Sequence, residues 1–235
     1  DFLGREILAQ DGVAIVESSH GVLTDHFQGF HPHTSAIRTL PSFANNMVRA
    51  AGFDGELVNI GVHRAYQVRH GAGPMPTADP HMNEQLLPGS SKAANRYQGE
   101  IRVGPLDTVL LRYALSASGG VGMYQALAIT WFDQVAKQGV WEICHRYRGA
   151  DDANYFTADG ELRVRCGEGS EQLYYQEQLG QKLLACQPDV EQVRLSQTAT
   201  REELVSLCAD VLSEQVSIPV RLVSFGATED DKVCI

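Results

Sequence analysis

An arginine and a histidine stand next to each other in the segment VRHGAGPMPT, residues 68–77. Arg69 and His70 can both carry positive charge, and a guanidinium group binds carboxylates and phosphates through paired hydrogen bonds. Gly71 and Gly73 let the main chain approach another group closely, and the two prolines in the segment restrict the backbone. The pattern predicts either one wall of a site for an anionic ligand or a plain tight turn.

A second set of residues has the chemistry that recognises a purine base. Asp133, at the end of TWFD, can accept two hydrogen bonds from the N1–H and amino groups of guanine, or it can cap the helix that follows. The local sequence favours the helix cap. The segment SFGAT, residues 224–228, can contact a base or simply turn, and Arg96 and Arg102 can bind anions or remain solvated.

Histidines are concentrated in the first part of the chain. Seven of the eight lie between residues 20 and 81, including His31 and His33 in the segment FHPHT. No HExxH motif is present, and no cysteine or carboxylate lies at ligand spacing from them. We therefore predict no metal site, and a histidine-dependent metalloenzyme is a remote alternative.

The composition argues against several functional classes. The 235 residues carry a net charge of −10, so the chain lacks the clustered positive charge that nucleic-acid binding requires. No apolar run reaches the roughly 18 residues of a membrane span, and the five cysteines form no CxxC pair, which is typical of a cytoplasmic protein with reduced thiols. No GxxxxGK[ST], GxGxxG or GxSxG motif occurs, so the sequence identifies no triphosphate cradle and no nucleophile.

The elements that must position these residues alternate between strands and helices. Strands are predicted over residues 12–18, 59–69, 124–130, 140–147 and 218–224. Helices are predicted over residues 42–51 and 171–185 and after the caps Asp107 and Thr200, and residues 20–40 are predicted to form a long loop. The alternation predicts one α/β domain over residues 1–235, with a mostly parallel sheet covered by helices on both faces. Ligands then bind at the carboxyl ends of strands, where the loops after residues 18, 69, 130 and 224 lie.

Several segments, in collinear order, resemble the C-terminal half of the adenylosuccinate synthetase family. The most specific is AYQVRHGAGPMPT at 65–77, which resembles the family's AYxxRVGxGPFPT. VESSHGVLTDHFQGFHPHTS at 16–35 resembles a strand ending in EGAQG and its continuation to TSS. The other matches are IRVGPLDTVLLRYA to RRCGWxDxVxLRYA, LAITWFD to LxLTKLD, and IPVRLVSFGA to VPVxxxSTGP. The resemblance implies the family's fold, which is related to P-loop NTPases, with its N-terminal half absent.

The resemblance implies an enzyme of purine biosynthesis that couples GTP hydrolysis to joining IMP and aspartate, with Mg²⁺ as cofactor and as a homodimer. Substrate-binding positions that it implies are His20, Thr34, Ser35, Arg69, His70, Gly71, Arg96 and Arg102. Guanine-nucleotide positions that it implies are Trp131, Asp133, Ser224 and Gly226. In this assignment His20 lies near the purine, Thr34 or Ser35 at the IMP phosphate, and Arg102 on the aspartate and GTP side.

Three positions depart from the family's pattern. His20 replaces a glutamine near the purine, Trp131 replaces the lysine of TKLD, and Gly99 falls where the family has another arginine, for which Arg96 is close enough to substitute. Because these changes surround two base sites, they suggest altered nucleotide choice. Ligation of aspartate to dGMP, as in a 2-aminoadenylosuccinate synthase, is therefore an alternative.

The family's N-terminal half has no counterpart in the sequence. That half carries the phosphate loop, an aspartate that is general base and Mg²⁺ ligand, and a catalytic histidine, so the catalytic residues and most Mg²⁺ ligands are expected outside this chain. We expect the isolated 235 residues to be inactive. The remaining alternative is a non-catalytic nucleotide-binding module.

Overall fold

The computed structural model describes residues 2–86, 94, 96 and 99–235. The α-helices of this part are α1 (Pro41–Ala50), α2 (Pro80–Leu86), α3 (Thr108–Ala117), α4 (Phe132–Gln138), α5 (Ser170–Ala185) and α6 (Arg201–Val216). Its strands are β1 (Ile60–Arg64), β2 (Gln67–His70), β3 (Ile101–Gly104), β4 (Leu106–Asp107), β5 (Ala126–Thr130), β6 (Val140–Arg148), β7 (Gln187–Arg194), β8 (Val220–Ser224) and β9 (Lys232–Cys234). Shorter helical turns are Leu3–Leu8, Val22–Thr24, Val121–Met123 and Glu229–Asp231.

The strands form three sheets, and the predicted α/β class is confirmed. The largest sheet has the order β1-β5-β8-β9, in which β1, β5 and β8 are parallel and β9 is antiparallel to β8. A second sheet has the order β4-β6-β7, and a third is the antiparallel pair β2-β3. Parallel pairing is therefore concentrated in the four-stranded sheet, where the carboxyl ends of three strands lie side by side.

Local signals placed two helices correctly. The side chain of Asp107 accepts a hydrogen bond from the amide of Leu110 at 3.0 Å, which caps α3. At the start of α6, Thr200 and Glu203 exchange both bonds of a capping box. Each cap satisfies amides that have no partner within their own helix.

Three expectations about elements are wrong. Residues 12–18 form no strand and are exposed, because no strand of the described part pairs with them and an unpaired strand does not persist. The strand predicted over 59–69 is divided at Ala65 and Tyr66 into β1 and β2, which belong to different sheets. Asp133 is not the helix cap, since that position is occupied by Trp131.

The core lies mainly in the second half of the structure. Of residues 2–64, only Phe30 is a buried member of either large hydrophobic cluster.

All five cysteines are free thiols, as expected, with Cys144, Cys186 and Cys208 buried. Among the helices described, none has the length and apolarity needed to cross a membrane.

Candidate nucleotide-binding site

The antiparallel pair β2-β3 brings two arginines together. Arg69 and Arg102 are directly opposite each other in the ladder, and directly opposite side chains in a sheet lie on the same face. With His33 and Gly71 they form a group that we call the arginine site. Arg69 is almost completely buried, with 6% of its surface exposed.

Both guanidinium groups hold the loop that follows β2. Nε of Arg69 donates to the carbonyl of Ala72 at 2.8 Å, and Arg102 donates to the carbonyls of Gly71 and Gly73 at 2.8 and 2.7 Å. Gly73 has φ +108°, and a Cβ there would lie 2.3 Å from a terminal nitrogen of Arg69. The close approach that the glycines permit is therefore to an arginine of the chain itself.

The electrostatics of the arginine site favour an added anion. Burial and then the charge of Arg102 lower the pKa of Arg69 to about 10, and burial lowers the pKa of Arg102. The pKa of His33 is lowered first by burial and then by Arg69, Arg102 and His31. None of the salt bridges within the described residues involves Arg69 or Arg102. Two adjacent cations without a carboxylate are stabilised when a negative group binds between them.

The loop with Thr34 and Ser35 is attached to the same site. A terminal nitrogen of Arg69 donates to the carbonyl of His33 at 2.9 Å, which places Thr34 one residue from that contact. The amide of Ser35 donates to the carbonyl of Thr24 at 2.8 Å, so the loop is also anchored behind the site. Arg69 is thus bonded to the residue that precedes Thr34 and Ser35, the two hydroxyl residues predicted at a phosphate.

A buried carboxylate supports the far end of the loop. Asp107 accepts hydrogen bonds from the hydroxyls of Tyr147 at 2.5 Å and Thr77 at 3.3 Å, in addition to its helix cap. Burial raises the pKa of Asp107 to about 6, although these hydrogen bonds oppose the shift. Asp107 therefore connects the loop that ends at Thr77 with α3 and β6.

The carboxyl ends of β1, β5 and β8 form a second group, which we call the strand-end site. Arg64 pairs with Thr130 at the ends of β1 and β5, and Ile129 pairs with Val223 near the ends of β5 and β8. The residues at or just beyond these ends are Tyr66, Trp131, Asp133, Ser224 and Gly226. All four predicted guanine contacts therefore lie at one edge of the parallel sheet.

Trp131 presents an aromatic surface there. Its backbone is left-handed, with φ +61°, although such a conformation is unfavourable for a bulky residue. The guanidinium carbon of Arg64 lies 5.2 Å from the Trp131 ring centre, and the Tyr66 ring meets it edge-on at 6.5 Å. The Tyr66 hydroxyl is buried without a hydrogen-bond partner in the described structure, and burial raises its pKa. A strained residue and an unsatisfied hydroxyl side by side indicate a binding surface.

Asp133 and the loop after β8 complete the strand-end site. Oδ2 of Asp133 accepts from Gln134 at 2.6 Å and from Lys137 at 2.7 Å, so binding both donors of a guanine would require its other oxygen as well. Ser224 is buried and donates to the carbonyl of Gly226 at 3.0 Å. A Cβ on Gly226 would lie 2.4 Å from the carboxylate of Asp231, so a larger residue there would displace that side chain.

The two sites are consecutive along the backbone. The amide of Ala65 donates to the carbonyl of Thr130 at 2.8 Å, and β2 begins two residues later. Arg69 is three residues beyond Tyr66, a distance of about 10 Å along an extended chain. The arginine site and the strand-end site thus share the short buried segment Ala65–Tyr66.

Three predicted site residues are not brought into either group by the contacts described. His20 lies at the end of the exposed extended segment, with φ +62°. His70 is exposed at the end of β2. Arg96 is exposed and is flanked by residues outside the described part.

The sequence reasoning missed Arg64 and Tyr66. Arg64 is the last residue of the parallel strand β1 and Tyr66 lies two residues beyond it, at a strand end where ligand contacts are common in α/β sheets. The signal was present, but the single strand predicted over 59–69 placed both residues in its interior.

Comparisons with known proteins agree with this architecture. The family model for adenylosuccinate synthetase matches residues 2–233. The adenylosuccinate synthetase of Synechocystis sp. is 25% identical over 228 residues, which cover 94% of this chain and 46% of that protein. The adenylosuccinate synthetase of Mesoplasma florum is 29% identical over 159 residues, covering 65% of this chain and 35% of that protein.

A solved structure shows the same fold. The fully ligated adenylosuccinate synthetase of Plasmodium falciparum superposes with a TM-score of 0.67 over 93% of this chain and 49% of its own, at 14% identity. The chain spans about half the length of the relatives it matches. Because the family model covers nearly every residue, the chain belongs to the adenylosuccinate synthetase family.

Proposed function

We propose that residues 1–235 form one α/β domain that binds the substrates of an adenylosuccinate synthetase, which joins IMP and aspartate with hydrolysis of GTP. The observation that carries the proposal is the buried pair Arg69 and Arg102, held on one face without a carboxylate partner among the described residues. IMP and aspartate are both anionic, and a chain with a net charge of −10 needs such a local concentration of positive charge to hold them.

The arginine site is proposed to bind the substrates IMP and aspartate. Arg69 and Arg102 supply charge, and Thr34 and Ser35 supply hydroxyl donors for a phosphate beside it. His20, His70, Gly71 and Arg96 are assigned to the same substrates on the motif matches alone.

The strand-end site is proposed to bind the guanine of GTP. The Trp131 ring provides a surface on which any base can stack. Asp133 provides the hydrogen-bond acceptors that distinguish guanine from adenine. Ser224 and Gly226 form the adjacent wall. The name shared by the relatives favours IMP over dGMP as the monophosphate.

Magnesium is proposed to bind together with GTP, and not to a cluster of metal-binding side chains in this part of the family fold. Among the described residues, no three His, Cys, Asp or Glu side chains lie close enough together to hold a metal ion. The described residues therefore do not fit a resident Mg²⁺ site. By family membership, the complete enzyme is proposed to be a cytoplasmic homodimer.

Calorimetry on the chain with IMP and with GDP tests the assignment. Arg69→Ala should weaken IMP binding by about tenfold to a hundredfold, because a hydrogen bond to a charged group contributes about 1.5–3 kcal/mol. Asp133→Asn should weaken the binding of GDP and leave the affinity for IMP unchanged. The matched controls are Arg146→Ala, whose side chain is 74% exposed, and Asp230→Asn on the surface. Absence of IMP and GDP binding at millimolar concentration would overturn the proposal.

A further inference from the structure

A buried carboxylate joins the two ends of residues 25–39, a segment that we call the 25–39 loop. Asp25 has 0% of its surface exposed. Its Oδ2 accepts hydrogen bonds from the amide and the hydroxyl of Thr39 at 2.7 and 3.4 Å. Its Oδ1 accepts from the amides of Phe27 and Gln28 at 3.0 and 3.1 Å. Because Asp25 and Thr39 are 14 positions apart, this one side chain closes the whole loop.

The first residues of the loop are also bonded to the helices beside them. The Tyr113 hydroxyl of α3 donates to the carbonyl of Gln28 at 2.7 Å, and Nε2 of Gln172 in α5 donates to the carbonyl of Phe27 at 3.0 Å. Phe27 and Gln28 therefore each have an amide bonded to Asp25 and a carbonyl bonded to a helix. The base of the 25–39 loop thus has a fixed position relative to α3 and α5.

Arg38 reinforces the closure from the other end of the loop. Its Nε lies 3.5 Å from Oδ1 of Asp25, and a terminal nitrogen pairs with Glu168. Its guanidinium carbon lies 5.1 Å from the ring centre of Phe27 and 4.2 Å from that of Phe43, so the cation contacts two aromatic rings. The charge of Asp25 therefore has a cationic partner, which a carboxylate without exposed surface needs.

The tip of the loop is attached on both sides of Thr34. Before it, the carbonyl of His33 accepts a hydrogen bond from Arg69 at 2.9 Å. After it, the amide of Ser35 donates at 2.8 Å to the carbonyl of Thr24, the residue that precedes the buried carboxylate. The positions of the two hydroxyl residues thus depend on the arginine site at one side and on the closed base of the loop at the other.

We propose that Asp25 is a positioning residue for the phosphate of the bound nucleotide, because it holds the 25–39 loop in the conformation in which Thr34 and Ser35 meet that phosphate. The inference rests on the proposed function, which places a phosphate beside Arg69. Asp25 acts only through the loop, since it has no exposed surface and both of its oxygens are bonded. A loop that is ordered before binding lowers the entropy cost of holding a ligand.

The hydrogen bonds of Asp25 require a carboxylate. An asparagine has almost the same shape but only one acceptor oxygen. In Asp25→Asn the new NH2 group faces either the Thr39 amide or the amides of Phe27 and Gln28, and two donors cannot bond to each other. The negative charge beside Arg38 is lost as well. We therefore expect the loop to open at one end while the volume of the side chain is unchanged.

Calorimetry with IMP in two backgrounds tests this role. One background is the parent chain, and the other is Thr34→Val combined with Ser35→Ala, which lacks both hydroxyls. Asp25→Asn should weaken IMP binding about tenfold or more in the parent, because bonds to a charged group are lost. In the background without the hydroxyls it should change the affinity by less than about twofold, since the loop then has nothing to position. A purely structural role would weaken IMP binding equally in both.

Two further variants complete the design. Asp152→Asn is the matched control, because Asp152 also accepts the amide two residues later, from Asn154 at 3.1 Å, and pairs with Lys182. It should bind IMP like the parent. Arg38→Met removes the cation beside Asp25 and keeps an unbranched side chain against the aromatic rings. It should weaken IMP binding in the parent background only, and it decides the question if Asp25→Asn does not fold.

The outcomes separate this inference from the proposed function. If the parent does not bind IMP at millimolar concentration, both fail. If the parent binds IMP and folded Asp25→Asn binds it within about twofold, or if Asp25→Asn weakens binding equally in both backgrounds, Asp25 is not a positioning residue and the proposed function still stands. Cooperative urea unfolding of each variant establishes that it is folded.

Discussion

Arg69 and Arg102, opposite each other on β2 and β3, donate to the carbonyls of three successive residues, 71, 72 and 73. A single short loop is thus held by two side chains of the same charge. Their mutual repulsion and burial are offset by the partial negative charge of the loop carbonyls, and no carboxylate of the described residues forms a salt bridge with either arginine. Because these hydrogen bonds already order the loop, an anion that binds there loses less free energy to ordering it.

Replacing Gly73 should disturb both arginines. In Gly73→Ala the added Cβ would lie 2.3 Å from the Arg69 guanidinium, and the residue would keep φ +108°. We expect a loss of about 1–3 kcal/mol in the free energy of unfolding and at least tenfold weaker IMP binding. Urea denaturation and calorimetry measure the two effects.

A second glycine separates backbone strain from displacement of Arg69. Gly120 has φ +90°, and a Cβ there meets nothing within 4 Å. Gly120→Ala should therefore lose some stability and retain IMP affinity. Equal IMP affinity in Gly73→Ala and the parent would show that Arg69 is not part of the anion site.

Asp107 should make stability fall as the pH rises. Burial raises its folded pKa from about 3.8 to about 6, so below pH 3.8 the acid is protonated in both states and its contribution is complete. Between pH 3.8 and 6 the unfolded chain loses its proton first, which lowers the free energy of unfolding by roughly 3 kcal/mol. Asp107→Asn should lack this decline when urea unfolding is measured from pH 3.5 to 7.

Tyr147 provides the internal check on that assignment. Its hydroxyl donates to Asp107 and lowers the pKa of the carboxyl, so Tyr147→Phe should extend the decline in stability to higher pH. Parallel pH profiles for the parent and Asp107→Asn would mean that Asp107 does not titrate in this range.

Elements with local signals were predicted from the sequence, and features that depend on distant residues were not. The caps Asp107 and Thr200 act within three residues, so their sequence patterns were sufficient. The pairing of Arg69 with Arg102 joins residues 33 positions apart, and no single-sequence pattern specifies it. Segment 12–18 has strand-like composition, but a strand also needs a neighbour, and composition does not report one.

The candidate site shows the same division. Asp133, Ser224 and Gly226 lie at or just beyond the ends of strands in one parallel sheet, as the sequence pattern predicted, and their part in binding stays a prediction. Tyr66 was missed, since its importance lies in a buried hydroxyl left without a partner, which only packing reveals. The left-handed backbone of Trp131 was equally invisible, because bulky residues rarely adopt it.

Trp131 offers a test of whether that strain serves binding. Trp131→Ala and Trp131→Gly both remove the ring that stands over Arg64, but only glycine relieves the left-handed backbone. We expect the glycine variant to be more stable than the alanine variant by about 1 kcal/mol, the strain relief being partly offset by the greater freedom of glycine when unfolded. Both should bind GDP about fivefold to a hundredfold more weakly than the parent, because stacking of a base on an aromatic ring contributes about 1–3 kcal/mol. Thermal and urea unfolding with GDP titrations measure this, and the binding role of Trp131 is contradicted if either variant keeps the parent's affinity.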